Sequence, residues 1–401
     1  MQEFFPFFII LLVAVVFSQL FLRMKIPWVV ALIFGGIIVG PNGIGWFQTD
    51  NTIDFLAEIG LVMLMFMAGV ESKLTDMKGL KKRVAIIALL IGILPTLVGV
   101  TVTTALGYDW TTSILMGIIF MSSAIALLIP SFEQHNIMNS DLGKVVVASA
   151  IIVDAFSLIL LSVFLQFANG TPTLGSILIY PLALALLGVF AWIIPKIRWI
   201  ALSDIKGNGD IFEKELRFTL LTLVSLVVFF EFVGLHAIIA GFFAGMILSK
   251  SMGSTLLHAK LHAISYGFFI PVFFVVVGAS TDLSVFTDGL RPLLVMLAVV
   301  SSSALSKFAS GWMAGRLTDF SYRSSAFIGV SVTPHLSTAL AVAFLGFGEG
   351  LLTQELLSSV IGLTVVTSVL SPIFVNLIGR KIVTQKPQPT VSDQEPVTAM
   401  S

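Results

Sequence analysis

Two ionisable residues of opposite sign lie inside apolar runs long enough to cross a bilayer. Asp154 sits in VVVASAIIVDAFSLILLSVFLQF and Lys307 in LLVMLAVVSSSALSKFASGWMAG. A charge at mid-bilayer costs roughly 3 kcal/mol on insertion scales and more when isolated, so such residues mark ion or proton pathways. One buried carboxylate has a narrow chemistry. Burial disfavours its charged form and a nearby ammonium favours it. Between these influences a proton and a hard monovalent cation can compete for the same oxygens, with hydroxyls, backbone carbonyls or water completing the shell.

The elements that must hold these residues are membrane spans. Hydrophobic residues make up 57% of the chain and charged residues 11%, with a mean hydropathy of +1.04, against roughly 25% charge in a soluble domain. The 22 basic and 22 acidic residues cancel, so bulk charge gives no reason to expect a nucleic-acid partner. Without cysteine there is no disulfide framework and no thiolate metal site. The first apolar run follows Gln2 and Glu3 without a basic leader or small-residue cleavage site, and reads as a retained span.

Windows of about 20 residues predict an all-α polytopic protein of about 13 spans, near 4–22, 27–40, 53–70, 84–106, 111–130, 143–168, 173–195, 215–232, 235–249, 262–280, 291–315, 324–347 and 354–379. Placing the N-terminus outside and the C-terminus in the cytoplasm gathers 20 of the 22 basic residues in internal loops, as the positive-inside rule requires. The exceptions are Arg291, at an outer end, and Lys307. The expected location is a prokaryotic plasma membrane. Residues 1–383 form the membrane domain, and 384–401 read as a short disordered cytoplasmic tail.

Spans 1–6 and 8–13 begin on opposite sides, which predicts inverted halves over 1–168 and 215–380 joined by a connector helix over 173–195. Each half carries an interrupted span at its fifth position. GIIFMSSAIALLIPSFEQ has Ser122 and Ser123 near its centre and Pro130 later; FIGVSVTPHLSTALAVAF has Pro334 flanked by Thr333 and His335. Proline removes a backbone donor, and interrupted helices at matched positions point to a transporter's binding site.

The chain resembles the cation:proton antiporter superfamily, the sodium/proton exchangers and the membrane domain of Kef-type transporters. The resemblance is carried, in order, by KIPWVVALIFGGIIVGPNGIG, FLAEIGLVMLMFMAGVESKL, SSAIALLIPSFEQ, the Asp154 helix, EFVGLHAIIAGFFAGMIL, PVFFVVVGASTDL, LSKFASGWMAGRL and SYRSSAFIGVSVTP. It implies the antiporter fold, with a core domain built on two crossing broken helices, a dimerisation domain and elevator-like alternating access. It places Asp154 at the essential ion-binding position, Lys307 at the basic position of the facing helix, and Ser122 and Ser123 beside the ion. It also implies a homodimer. Two departures stand out. Val153 precedes Asp154 where many electrogenic relatives carry a second acid, and His335-Leu336-Ser337 follows Pro334 where many carry Arg-Gly-Glu.

The expected site is therefore Asp154 with Ser122, Ser123 or nearby backbone, holding Na+ or, alternatively, K+ or Li+. With Val153 in place of a second carboxylate, the expectation is electroneutral exchange of one proton per cation. Lys307 has two readings. It neutralises Asp154 when no cation is bound, or it pairs with the carbonyl end of a broken helix. Ser157 reads as bonding within its own helix, and Glu58 and Glu231 as mouth or interface residues. His335 is either a pH sensor or a hydrogen-bonded packing residue, and the glycines of spans 2 and 9 read as packing positions. Apart from the transported ions, no cofactor is expected. The alternatives are a transporter of another small ion or solute on the same scaffold, which for an anion would want an additional buried cationic group or exposed helix N-termini, and a cation channel, which would need no proton coupling. An intramembrane aspartyl protease would need a second mid-membrane carboxylate, so no enzyme is expected.

Overall fold

A computed structural model describes residues 4–23, 27–46, 48–72, 79–138, 140–168, 188–198, 213–233, 235–249, 255–287 and 289–383. Among them there is no strand. The helices are α1 (Phe4–Arg23), α2 (Trp28–Val39), α3 (Asn51–Glu71), α4 (Lys81–Ala105), α5 (Trp110–Met121), α6 (Ile129–Gln134), α7 (Asp141–Ala168) and α8 (188–198). They continue with α9 (Lys214–Phe232), α10 (Ala237–Ser249), α11 (Thr255–Ile264), α12 (Ile270–Ala279), α13 (Leu290–Leu317), α14 (Tyr322–Ser331), α15 (Ser337–Gly348) and α16 (Gln354–Val383). Taking α5–α6, α11–α12 and α14–α15 as single passes gives 13 passes, the expected number. The first part of the connector helix and the whole of the tail lie outside the described residues.

By length and composition, seven of these passes can cross a membrane alone. The shorter apolar helices α2, α5, α10 and α15 have 12 or 13 residues. At 1.5 Å per residue each reaches only ~18–20 Å of the ~30 Å hydrocarbon layer. For α5 and α15 this follows from their being half-passes. The tenth pass starts at Thr255, earlier than the expected 262, because a π-helical turn over Ser265–Phe269 joins α11 to α12 without a break. The turn before α5 is anchored by Asp109, which accepts from Thr112 N (3.0 Å) and Thr112 Oγ1 (2.6 Å). Those bonds hold its carboxyl below the ordinary range.

The inverted halves are visible in the packing. α2 packs on α12 and α10 on α3; α4 packs on α5 and α13 on α14; α4 and α13 pack on each other. Matched glycines make these approaches. A Cβ on Gly36 of α2 would lie 2.1 Å from Val275 O of α12, and one on Gly245 of α10 would lie 2.1 Å from Phe66 O of α3. Gly99 meets Gly117 across α4–α5 as Gly311 meets Gly329 across α13–α14. Helices draw this close in lipid only where side chains are small.

The apolar interior divides in two. One cluster joins α1–α3 and α9–α12 to α5, to the second half of α7, to α15 and to the first half of α16. The other contains α4 through Ile91, the first half of α7 through Val153, α14 and Val375, and holds no residue of α1–α3 or α9–α12. The interrupted passes thus share apolar packing with α1–α3 and α9–α12 in the first cluster only, at one level of the membrane. Gly245→Leu should destabilise the protein beyond the ~1–3 kcal/mol of ordinary overpacking, since the clash is with backbone. Gly267→Ala, at a position with open space around it, should be tolerated. Thermal melts in detergent compare the two.

Candidate ion-binding site

Two helix breaks meet in the middle of the fold. α5 stops at Met121, and Ser122 turns extended (φ −66°, ψ 157°) before a 3-10 turn over Ile125–Leu128 leads into α6. Pro130 is at the start of α6 and not at the break itself. In the second pass α14 ends at Ser331, and Thr333–Leu336 are non-helical before α15 starts at Ser337. Here Pro334 is inside the break. The freed backbone groups find partners across the crossing. Ala124 N donates to Pro334 O at 2.7 Å, and Ser123 Oγ donates to Val332 O at 3.0 Å. Irregular backbone at membrane depth survives only when protein or a wet cavity satisfies it in this way.

Asp154, from the middle of α7, is half-buried and accepts from Ser123 N at 3.0 Å. Lys307, from α13, is fully buried. Its ammonium donates to Met121 O, to Ser123 Oγ at 2.8 Å and to Ile91 O at 3.3 Å, which employs all three of its protons. Asp154 and Lys307 make no direct ion pair. Ser123 joins them, its amide on the carboxylate and its hydroxyl on the ammonium. Lys307 also holds the carbonyl end of α5, whose partial negative charge favours a cation.

The other expected residues divide around this point. Ser122 is buried but turns its hydroxyl back to Ile119 O at 3.2 Å, so of the two serines Ser123 is the one touching both charges. Ser157 donates to Asp154 O at 2.8 Å within α7, and Thr333, just past the end of α14, donates back to Gly329 O of that helix at 2.8 Å. His335 is fully buried beside Ser303, Phe120 and Thr367. Glu58 lines a separate cavity of about 360 Å³ with Asp54, His236 and Glu349, at the far end of α15. Glu231 is exposed at the end of α9.

Sequence reasoning passed over Ser303, Thr367, Ser368 and Ile91 O. For Ser303 a signal existed. Ser303, Lys307, Ser310 and Gly311 recur at helical spacing and are all buried, on a helix whose Leu305 and Phe308 are exposed. Thr367 and Ser368 lie in an apolar pass with no charged neighbour, and nothing in their local sequence separates them from ordinary helix-bonded hydroxyls. A backbone carbonyl carries no signal at all.

A profile described as sodium/hydrogen exchanger, transmembrane, matches residues 8–381. The chain belongs to that family. The exchanger is 31% identical over 380 residues to the probable Na(+)/H(+) antiporter 3 of Methanocaldococcus jannaschii, covering 93% of this chain and 95% of that one. It is 26% identical over 383 residues to a Na(+)/H(+) antiporter of Enterococcus hirae, covering 93% and 97%. Its fold matches the solved structure of the sodium proton antiporter MjNhaP1 from M. jannaschii at pH 8, with a TM-score of 0.66 at 17% identity over 93% of this chain and 97% of that one.

Lys307→Met keeps the length of the side chain and removes three hydrogen bonds at once. Each abandoned buried group costs about 1–3 kcal/mol, so this exchanger variant should melt well below wild type in detergent, with or without sodium.

Proposed function

We propose that this exchanger is a secondary antiporter that moves a monovalent cation, Na+ first among candidates, against protons, with both ions competing for Asp154. The observation that carries the reading is the carboxylate itself. Asp154 is half-buried at the crossing of two broken helices and has one described hydrogen bond, which leaves further oxygen lone pairs for a proton or a cation. Ser123 Oγ and the backbone of the breaks are the oxygens suited to complete the shell.

In the cycle, protonated Asp154 releases H+ on one side and binds the cation there. The loaded site then moves, the cation leaves on the other side, and a proton replaces it. One cation and one proton cross in opposite directions, so no net charge moves. Val153 supports this count: it is buried in the apolar cluster of α4 and α14 and offers no second carboxylate. Lys307 serves as the fixed positive neighbour, acting on Asp154 through Ser123.

Orientation follows from the basic residues, which place the N-terminus outside. The level at which both helix sets share one apolar cluster is then the outer one, and the arrangement faces inward. At that outer level Phe273 of α12 and Phe344 of α15 stack edge-on, 5.8 Å between ring centres, and both line the cavity that Glu58 and Glu349 share. Separating that pair is part of opening outward. We place the exchanger in a prokaryotic plasma membrane as a homodimer. α1 suits an intersubunit or lipid-facing position, since Phe4, Phe8, Leu12 and Val15 are exposed.

In everted vesicles, Asp154→Asn should abolish cation-induced dequenching of a pH dye for Na+, K+ and Li+ alike, and retained exchange would remove Asp154 from the mechanism. For wild type, competition predicts that the KM for sodium rises as pH falls, by up to about tenfold per pH unit where the protonated site dominates. Rates in proteoliposomes should not respond to membrane potential. Because the chain has no cysteine, Phe273→Cys with Phe344→Cys can be bridged by a short bifunctional thiol reagent. Bridging should stop exchange, while either single variant treated the same way should keep transporting.

A further inference from the structure

His335 occupies the second break, between Pro334 and the start of α15, and no part of it reaches solvent. Its backbone is fixed at both ends by α16: its N–H donates to Thr367 Oγ1 at 3.1 Å, and its carbonyl accepts from Ser368 Oγ at 3.3 Å. Thr367 Oγ1 gives its own proton to Leu363 O at 2.7 Å, which leaves its lone pairs to receive the His335 amide. The ring points the other way, across the crossing. Nε2 lies 3.4 Å from Phe120 O and 3.3 Å from Ser303 Oγ.

Those partners determine the tautomer. Phe120 O can only accept, so Nε2 must carry the proton. Nδ1 is buried and has no hydrogen-bond partner. Protonating it would create a second buried cation on the α13 side of the crossing, where Lys307 sits one turn from Ser303. From α5 and α16 the ring and backbone meet only neutral groups, Phe120 O, Thr367 and Ser368. The carboxylate of Asp154 on α7 is reached only through Ser123.

Phe120 O and Met121 O are adjacent carbonyls at the end of α5. Lys307 holds Met121 O, and the His335 ring holds Phe120 O. We propose that His335 is a positioning residue, a neutral strut that ties the end of α5 to α16 and so keeps the Ser123 amide aimed at Asp154 whichever ion is bound. The role is distinct from pH sensing. It rests on the proposed exchange at Asp154, and it assigns to the His335-Leu336-Ser337 segment a mechanical part in cation affinity.

The test is sodium-dependent exchange in vesicles across a range of pH, with Asp154→Asn measured alongside. His335→Ala should raise the KM for sodium about fivefold, the size of one neutral hydrogen bond, with little change in maximal rate and no change in the shape of the pH profile. His335→Gln, whose amide can reach the same carbonyl, should recover most of the loss. Thr367→Val, which removes the acceptor of the His335 amide without touching the ring, should raise KM in the same direction. It decides the matter should His335→Ala fail to fold. An unchanged KM in both His335→Ala and Thr367→Val, or in Thr367→Val alone should His335→Ala fail to fold, would overturn the strut. So would a displaced pH midpoint shared by His335→Ala and His335→Gln, since that would make the ring a titrating sensor. Retained exchange in Asp154→Asn would instead overturn the underlying reaction, whatever the His335 variants do.

Discussion

Interrupting a helix inside hydrocarbon exposes amides and carbonyls that lipid cannot satisfy, and this exchanger does so twice at one place. Each break supplies what the other lacks. Ala124 N takes Pro334 O, Ser123 Oγ takes Val332 O, and the end of α5 is completed by Lys307 and His335. Neither break could persist alone at this depth without several unsatisfied groups, each costing on the order of kcal/mol. The crossing is therefore a mutual dependence, and it places an amide and a hydroxyl of Ser123 beside two deep charges, Asp154 and Lys307.

The repeat makes that coincidence possible. Two halves related by inversion bring their interrupted passes together from opposite sides, and the glycine contacts reproduce themselves in the process. Gly99–Gly117 and Gly311–Gly329 let α4 and α13 lie close behind α5 and α14, so the side chain of Lys307 can reach the carbonyl of Ile91 on the far helix as well as the crossing. Gly36 and Gly245 do the corresponding work among α2, α3, α10 and α12. That second group is packed throughout, while the crossing is attached to it at one level only. Such an asymmetry in apolar contact allows one body to move against the other without disturbing the hydrogen bonds at the crossing.

Much of this was legible in the sequence, and the limits have physical causes. Deep charges and span boundaries register strongly because burying an ion or a backbone in lipid is expensive, so Asp154, Lys307 and the passes could be read directly. Proline was a weaker guide. Pro95 and Pro372 lie inside unbroken α4 and α16, and Pro130 merely starts α6, so only Pro334 coincides with a break. In the first pass the interruption falls at Ser122–Ala124, where no residue type forbids a helix; the partner break imposes it. The direction of a hydroxyl was not legible either. Ser122 and Ser123 are adjacent and chemically identical, yet one turns back on its helix and the other bridges both charges, because extended backbone sends neighbouring side chains to opposite faces.

Exposure separates the two charged residues by task. Lys307 is fully enclosed with every ammonium proton committed to an oxygen, so releasing it requires new partners for three acceptors at once. Asp154 is half-buried and has one described bond. A group that exchanges ligands every cycle must have spare coordination and a route to water, whereas a group that maintains the field it works in must have neither. Asp154, with one described bond, has the spare coordination that the exchange proposed for it requires, and the ammonium, with every proton committed, has none. Ser123 is bonded to both through different atoms, so the two charges are linked without touching. Were they in direct contact, a cation arriving at Asp154 would have to displace the ammonium from the carboxylate, and binding would cost a buried ion pair. With the serine between them, a cation arriving at Asp154 in the proposed exchange would meet a carboxylate whose positive neighbour is already satisfied elsewhere.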